Sequence, residues 1–332
     1  MYVVIDNNLK HLYGLFGNYN LIEIHASEQS KCMESVMKIE EELLCRGADR
    51  NAFIIGVGGG ITTDMAGFAA SVYKRGIEFA FVPTTLLAQV DASIGGKNGV
   101  NLDSYKNIVG TITQPEWVYI CGEVLETLHP REFKAGIAEV LKTFILYDAA
   151  YYRMAVDYFS SLNGPDGYAS VESTALLTDI IGRCALYKSE VVKRDEFERG
   201  ERRFLNLGHT FAHALEKLCG DHPTEYAPIM HGEAVAIGII LAAETAEIIS
   251  GSRSGFSLDL RADFEKTALP VSLPVSLKNG RSVSATELVE AISKDKKVEG
   301  DSIHFILPFG LERVEERLLT LKELESISHD LR

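Results

Sequence analysis

Short, almost wholly apolar runs alternate with stretches of helical period through the first 130 residues. The runs are Tyr2 to Ile5, Leu21 to His25, Ala52 to Val57, Glu78 to Val82 and Trp117 to Ile120, each bounded by polar or glycine-rich breaks. A strand that is apolar on both faces is one covered on both faces, the condition of a parallel sheet with helices on either side. The pattern predicts an α/β domain over residues 1–130. After Leu128-His129-Pro130-Arg131 the strand signal nearly vanishes. Helical periods occupy 132–147, 172–193, 206–219 and 231–249, with one late strand candidate at Ser302 to Leu307 and a helix–helix loop at Ser250 to Gly255. Residues 131–332 are expected to form a mainly helical second domain. No low-complexity linker separates the halves, so they are expected to pack directly and leave an active-site cleft between them.

Composition narrows the function. The 47 acidic against 33 basic side chains leave a net charge of −14, which disfavours binding to nucleic acid or to an anionic membrane. The longest uncharged apolar run, Ala234 to Ala243, is far short of the ~20 residues a membrane-spanning helix needs. Five scattered cysteines, Cys32, Cys45, Cys121, Cys184 and Cys219, form no CxxC pair and suit reduced thiols, and the N-terminus shows no signal-peptide pattern. A cytoplasmic location is expected.

Two clusters carry candidate chemistry. In Ile54-Ile55-Gly56-Val57-Gly58-Gly59-Gly60-Ile61-Thr62-Thr63-Asp64 an apolar run meets a glycine cluster and then a helical pattern. Glycines at a strand end admit a ligand close to the backbone, and the helix that follows directs free N–H groups at the same place, which suits a phosphate or pyrophosphate. It is neither common fingerprint. A GxGxxG frame from Gly56 finds Ile61 at its last glycine, and a P-loop frame ending at Gly96-Lys97 finds Asp91 and Asn98 where Gly and Ser/Thr belong. The second half places Glu139, His209, His213 and His231 in helical patterns. One carboxylate and two imidazoles beside an open position make a catalytic Zn2+ site. His209 and His213, four apart, share a helix face, so spacing alone suggests both as ligands. Arg75, Lys97, Lys106, Lys142, Lys188 and Arg202 sit beside glycine, asparagine or apolar residues, suggesting a cationic pocket for a small phosphorylated or carboxylated substrate.

Six segments, in order, resemble the 3-dehydroquinate synthase family of the shikimate pathway, within the wider sugar-phosphate cyclases: GGGITTDMAGFAA (58–70), VPTTLLAQVDASIGGKNGVN (82–101), KNIVG (106–110), REFKAGIAEVLK (131–142), DEFERGERRFLNLGHTFAHALE (195–216) and HGEAVAIG (231–238). The resemblance implies a Rossmann-like NAD-binding domain and a helical metal- and substrate-binding domain. It implies metal ligation by Glu139, His209 and His231, with Zn2+ as the ion and Co2+ as the alternative, and it moves His213 from ligand to substrate hydrogen-bonder. NAD would lie on Gly59, Gly60, Ile61 and Asp64, near Thr84, Thr85 and Thr127, with Glu28 and Lys31 on the ribose side, Lys97 and Lys106 close by, and Asp6 toward the adenosine end. Substrate would meet Asp91, Lys97, Lys106, Asn107, Lys142, Lys188, Arg202, Asn206, His213 and one of Lys296 and Lys297. Arg75 would reach the neighbouring subunit's site, which implies a homodimer.

The implied reaction converts 3-deoxy-D-arabino-heptulosonate 7-phosphate to 3-dehydroquinate by transient NAD-dependent oxidation, β-elimination of phosphate, re-reduction, ring opening and intramolecular aldol closure. Against the family pattern the chain begins late, without an opening β-hairpin, and HPTEYAPIM (222–230) reads as an insertion that bulges as a loop without moving His231 off its helix. Three other readings stand beside this one: a sister cyclase acting on glucose 6-phosphate or sedoheptulose 7-phosphate, a metal-dependent polyol dehydrogenase, and a non-catalytic binding paralogue. Arg202 and Asn206, placed for a substrate carboxylate, favour the heptulosonate.

Overall fold

The computed structural model describes residues 1–103, 105–163, 174–252, 254–293, 302–328 and 330–331. The chain divides into two compact units, Met1–Leu128 with Val171–Phe197, and His129–Ser170 with Glu198–Arg332.

The first unit is built on β1 (Tyr2–Asp6), β2 (Asn20–Ile24), β3 (Phe53–Gly58) and β4 (Glu78–Pro83), joined in the order β2-β1-β3-β4, every pair parallel. Alternation within β1 and β3 divides two cores. Tyr2, Val4 and Ile54 face α1 (Met33–Cys45) and α2 (Gly60–Val72), whose Val36, Ile39, Leu43, Met65 and Phe68 fill that side. Val3, Ile5, Ile55 and Val57 face the 310 segment Asn7–Phe16, through Leu9, Tyr13 and Phe16. Both faces are covered, so the apolar runs are continuous. The run expected at Trp117 to Ile120 is no regular strand: it meets β4 through one bridge, Phe81 to Val118, because Glu116, Trp117 and Tyr119 share hydrogen bonds with Phe79 and Phe81 at an irregular edge. An unexpected antiparallel hairpin, β5 (Lys97–Leu102) with β6 (Tyr105–Ile112), follows a single π-type turn at Ala88–Ala92.

The second unit holds α3 (Pro130–Tyr147) and α4 (Ala149–Ser161). In sequence α5 (Ala175–Arg194) comes next, but it belongs to the first unit. Its Lys188 donates to the backbone carbonyl of Asp91 at 2.7 Å and to the Asp91 carboxylate. A single cut near residue 130 therefore misplaces this helix. The second unit resumes with α6 (His209–Asp221), α7 (His231–Ser250), α8 (Phe256–Lys266), α9 (Ala285–Ser293), the antiparallel pair β7 (Ser302–Gly310) and β8 (Arg313–Thr320), and α10 (Leu321–Ser328). Every residue of α7 from Ala234 to Ala246 is buried, as expected for a helix apolar all round from Ala234 to Ala243, and its polar Glu244 and Thr245 are satisfied by Arg261 at 2.9 Å and the Leu241 carbonyl at 2.7 Å. No helix among the described residues is long and apolar enough to cross a membrane.

Candidate functional site

In the second unit α3 carries Glu139, α6 opens on His209 and α7 opens on His231. Glycine permits their approach. A Cβ on Gly232 would stand 1.8 Å from the carbonyl oxygen of Ala135, and one on Gly238 would stand 2.2 Å from that of Gly208, so α7 touches the backbone of α3 and the turn before α6. Gly208 itself sits at φ +79, where a side chain would be strained. Gly232→Ala is expected to lower stability by about 3 kcal/mol, the upper range for overpacking, because the obstacle is backbone. An unchanged urea midpoint would contradict this account of the crossing.

The segment 222–230 is irregular, and His231 begins α7 directly after it. Arg131 fastens this join. Its guanidinium donates to both carboxylate oxygens of Glu233 at 2.7 Å and to the Pro228 carbonyl at 2.8 Å, while Glu233 accepts from the Met230 N–H at 2.9 Å.

Glu139, His209 and His231 each offer a ligand atom within 4.8 Å of the others, the one such group among the described residues. Glu139 Oε1 lies 3.4 Å from His231 Nε2 and 3.8 Å from His209 Nε2. The donor set fits a divalent ion: one oxygen and two imidazole nitrogens converge at a place where Glu139 is fully buried. Burial, then the nearby Lys142 charge, holds the His209 imidazole well below its ordinary pKa, in the neutral form a ligand needs. The tautomer follows from Nδ1, 3.2 Å from the Leu207 carbonyl, which can only accept; the proton is on Nδ1 and the lone pair is on Nε2. Burial works against a charged His231, but the Glu216 and Glu139 carboxylates outweigh it and push its pKa up to about 10 in the metal-free chain.

Lys142, 1% exposed, places Nζ 2.5 Å from Glu139 Oε2. His213 lies outside the ligand group, contrary to the spacing reading. Its ring centroid is 5.6 Å from that of His209 and 6.4 Å from that of His231, since a shared helix face fixes direction but not reach. Arg202, 2% exposed, and Asn206 stand in the short 310 turn Glu201–Asn206, where Asn206 Nδ2 donates to Glu198 at 2.5 Å.

In the first unit Gly59 precedes α2 with no side chain capping that helix. A Cβ at Gly58 would collide with Thr62 at 2.4 Å, and one at Gly59 would meet Thr85 at 3.0 Å, so the turn is a cradle only glycine leaves open. The uncapped N–H groups at Gly60 and Ile61 suit a pyrophosphate. Beside it Lys31 reaches Asp64 at 2.5 Å and Asn107 at 2.6 Å, and Lys106 meets Glu28 at 3.3 Å. Burial raises the Asp64 pKa against the opposing Lys31 charge. Asn101, unnoticed in the sequence, links the two halves of this cluster: its Oδ1 accepts from the Asn107 N–H at 2.9 Å and its Nδ2 approaches Glu28 at 3.4 Å. Thr84 is buried on the exit from β4. Lys97 is exposed at the start of β5, and Thr127 meets His11 at 3.3 Å. Asp6 caps the 310 segment by accepting from the Asn8 N–H at 3.0 Å. Lys296 and Lys297 lie outside the described residues.

Residues 21–135 match the 3-dehydroquinate synthase N-terminal family and residues 136–298 the 3-dehydroquinate synthase C-terminal family. A 3-dehydroquinate synthase of Alkaliphilus metalliredigens (strain QYMF) is 39% identical over 97% of this chain and 87% of its own length. One from Campylobacter fetus subsp. fetus (strain 82-40) is 42% identical over 86% and 75%. Among solved structures, 2-epi-5-epi-valiolone synthase from Streptomyces hygroscopicus subsp. jinggangensis 5008, with NAD+ and Zn2+ bound, is 27% identical with a TM-score of 0.84 over 98% of this chain and 89% of that one. A 2-deoxy-scyllo-inosose synthase with carbaglucose-6-phosphate, NAD+ and Co2+ is 25% identical, with a TM-score of 0.81 over 100% and 90%.

Proposed function

The chain belongs to the 3-dehydroquinate synthase family, and from that premise we propose that it converts 3-deoxy-D-arabino-heptulosonate 7-phosphate to 3-dehydroquinate and phosphate, using NAD and a divalent ion, Zn2+ or Co2+. The observation that carries the reading is the convergence of Glu139, His209 and His231, which would hold the ion. Gly59, Gly60, Ile61 and Asp64, with Thr84 and Thr85 close by, would hold NAD. When bound, NAD supplies a reversible hydride acceptor and the ion a Lewis acid that acidifies a substrate hydroxyl.

The chain's own side chains then bind and orient. Lys142, Lys188 and Arg202 are buried cations in a strongly acidic protein, and such burial is tolerated where an anion or a carboxylate partner offsets it. Arg202 and Asn206 are assigned to the substrate carboxylate, where a planar guanidinium gives a bidentate grip. Lys142 and His213 are assigned to the substrate oxygens beside the ion. Asp91 and Lys188 form one unit: the lysine orients the carboxylate that meets substrate, and Asn107, held by Lys31 and Asn101, presents its amide. Positioning of this kind suffices where the departing phosphate can serve as its own base.

The heptulosonate is favoured over the sister sugars because relatives named 3-dehydroquinate synthase are 39% and 42% identical, against 27% and 25% for the solved sister cyclases. Glucose 6-phosphate and sedoheptulose 7-phosphate also carry no carboxylate for Arg202. Phosphate release from each of the three substrates with Zn2+ and NAD+ tests the reading. Release from the heptulosonate alone, abolished by chelator and without net NADH, is expected. Accumulating NADH, or turnover of a sister sugar instead, overturns it.

The reading includes a homodimer in which Arg75 enters the partner's site. Lys74, Arg75 and Gly76 take consecutive positive φ values of 49, 73 and 112, and Arg75 is exposed. Strain of this kind persists where surroundings or function require it. Sedimentation at the 36.6 kDa monomer mass would remove the dimer from the proposal.

A further inference from the structure

We propose that Glu216 is a positioning residue for the metal site: from α6 its carboxylate holds His231 by Nδ1, so that Nε2 turns toward Glu139. The inference rests on the metal-site reading above and assigns a role to a residue that is not itself a ligand. Glu216 Oε1 lies 3.4 Å from His231 Nδ1, and on the other side of the same ring Nε2 lies 3.4 Å from Glu139 Oε1. The two ring nitrogens are thus divided between two carboxylates, one in the ligand group and one behind it. Glu216 is only 8% exposed, and it follows His209 by seven residues and His213 by three, so a single face of α6 carries a ligand, a neighbouring imidazole and this support. His209 is held the same way by a different partner, the Leu207 carbonyl at Nδ1. With the ion on Nε2, each imidazole therefore has an acceptor behind it at Nδ1, a neutral one for His209 and an anionic one for His231. His231 needs the support more, because its side chain is 34% exposed against 10% for His209. An acceptor at Nδ1–H orients the ring and raises the basicity of Nε2, and losing such a partner weakens metal binding by about 10–100-fold.

The test uses the full chain stripped of metal, with Zn2+ affinity measured by competition against a chromophoric chelator and ligand geometry read from the visible absorption of the Co2+-loaded protein. Glu216→Ala should weaken Zn2+ binding by about 10–100-fold and shift the Co2+ bands. Glu216→Gln, whose amide oxygen can still accept from Nδ1–H, should recover most of both. A merely structural Glu216 would lower the melting temperature and leave Zn2+ affinity and Co2+ spectrum as in the wild type, and that result overturns the inference. Should Glu216→Ala not fold, NMR of the Zn2+-loaded wild type decides: a His231 proton on Nδ1 supports the proposal and a proton on Nε2 sinks it. A wild-type chain that takes up no Zn2+ overturns the metal-site reading itself, whereas tight binding indifferent to residue 216 overturns this inference alone.

Discussion

Glu139→Gln should leave a folded protein that no longer retains zinc and releases phosphate from the heptulosonate phosphate at least about 10³-fold more slowly. The magnitude follows from the several kcal/mol a Lewis acid contributes to a developing alkoxide, at about 1.4 kcal/mol per factor of ten. The variant keeps the volume of a fully buried side chain and an oxygen able to accept from Lys142, whose Nζ stands 2.5 Å from Glu139 Oε2, but it breaks the same buried ion pair as Lys142→Met and should lose about 3–5 kcal/mol of stability while still folding. What it loses is the charge that offsets a divalent ion between two neutral imidazoles. NAD affinity should be unchanged, because the glycine cradle and the Lys31–Asp64 pair belong to the other compact unit. The check is metal content by atomic emission, NAD binding by titration and phosphate release on one preparation. Glu139→Gln with wild-type zinc content and turnover would remove the ion from Glu139 and with it the basis of the proposed function.

The parts legible in the sequence are those where burial acts on consecutive residues. Strands β1, β3 and β4 stand out because helices and the 310 segment cover both of their faces, whereas β2, at the sheet edge, buries Ile22 and leaves Asn20 and Glu23 exposed. Strands β5, β6 and β8 were hidden, since KNGVNL, YKNIVGTI and RVEERLLT keep exposed polar or charged positions and resemble loops. The placement of α5 with the first unit is invisible to any reading along the chain, because it depends on Lys188 and Asp91, 97 residues apart. The ligands lie in recognisable segments, and the glycines that let their helices touch are printed beside them as His231-Gly232 and Gly208-His209. Glu216 had a signal too, two helical turns after His209, but a carboxylate at that spacing reads as a solvated helix face until the structure shows it buried. Asn101 gave none, as its role depends on a hairpin the pattern did not reveal.

Lys142→Met should reduce turnover of the zinc-loaded enzyme by about 10²–10³-fold, the usual effect of deleting one well-placed electrostatic contact. Its effect on stability should depend on the metal. In the metal-free chain Lys142 is 1% exposed against a fully buried Glu139, and methionine leaves that carboxylate without the ammonium 2.5 Å away. Breaking one side of a buried ion pair costs about 3–5 kcal/mol, so folding of the metal-free chain should not survive the change untouched. Zinc would supply the missing positive charge to the same carboxylate, and His209 would lose the nearby cation that helps hold it neutral. The gain in melting temperature on adding Zn2+ should therefore be larger in Lys142→Met than in the wild type, while kcat on the loaded enzyme stays depressed. Calorimetry with and without Zn2+, alongside phosphate release at saturating metal, separates the two effects. Equal Zn2+ stabilisation of both proteins would show that Lys142 and the ion do not share Glu139, and wild-type turnover would show that the lysine does not touch the reaction.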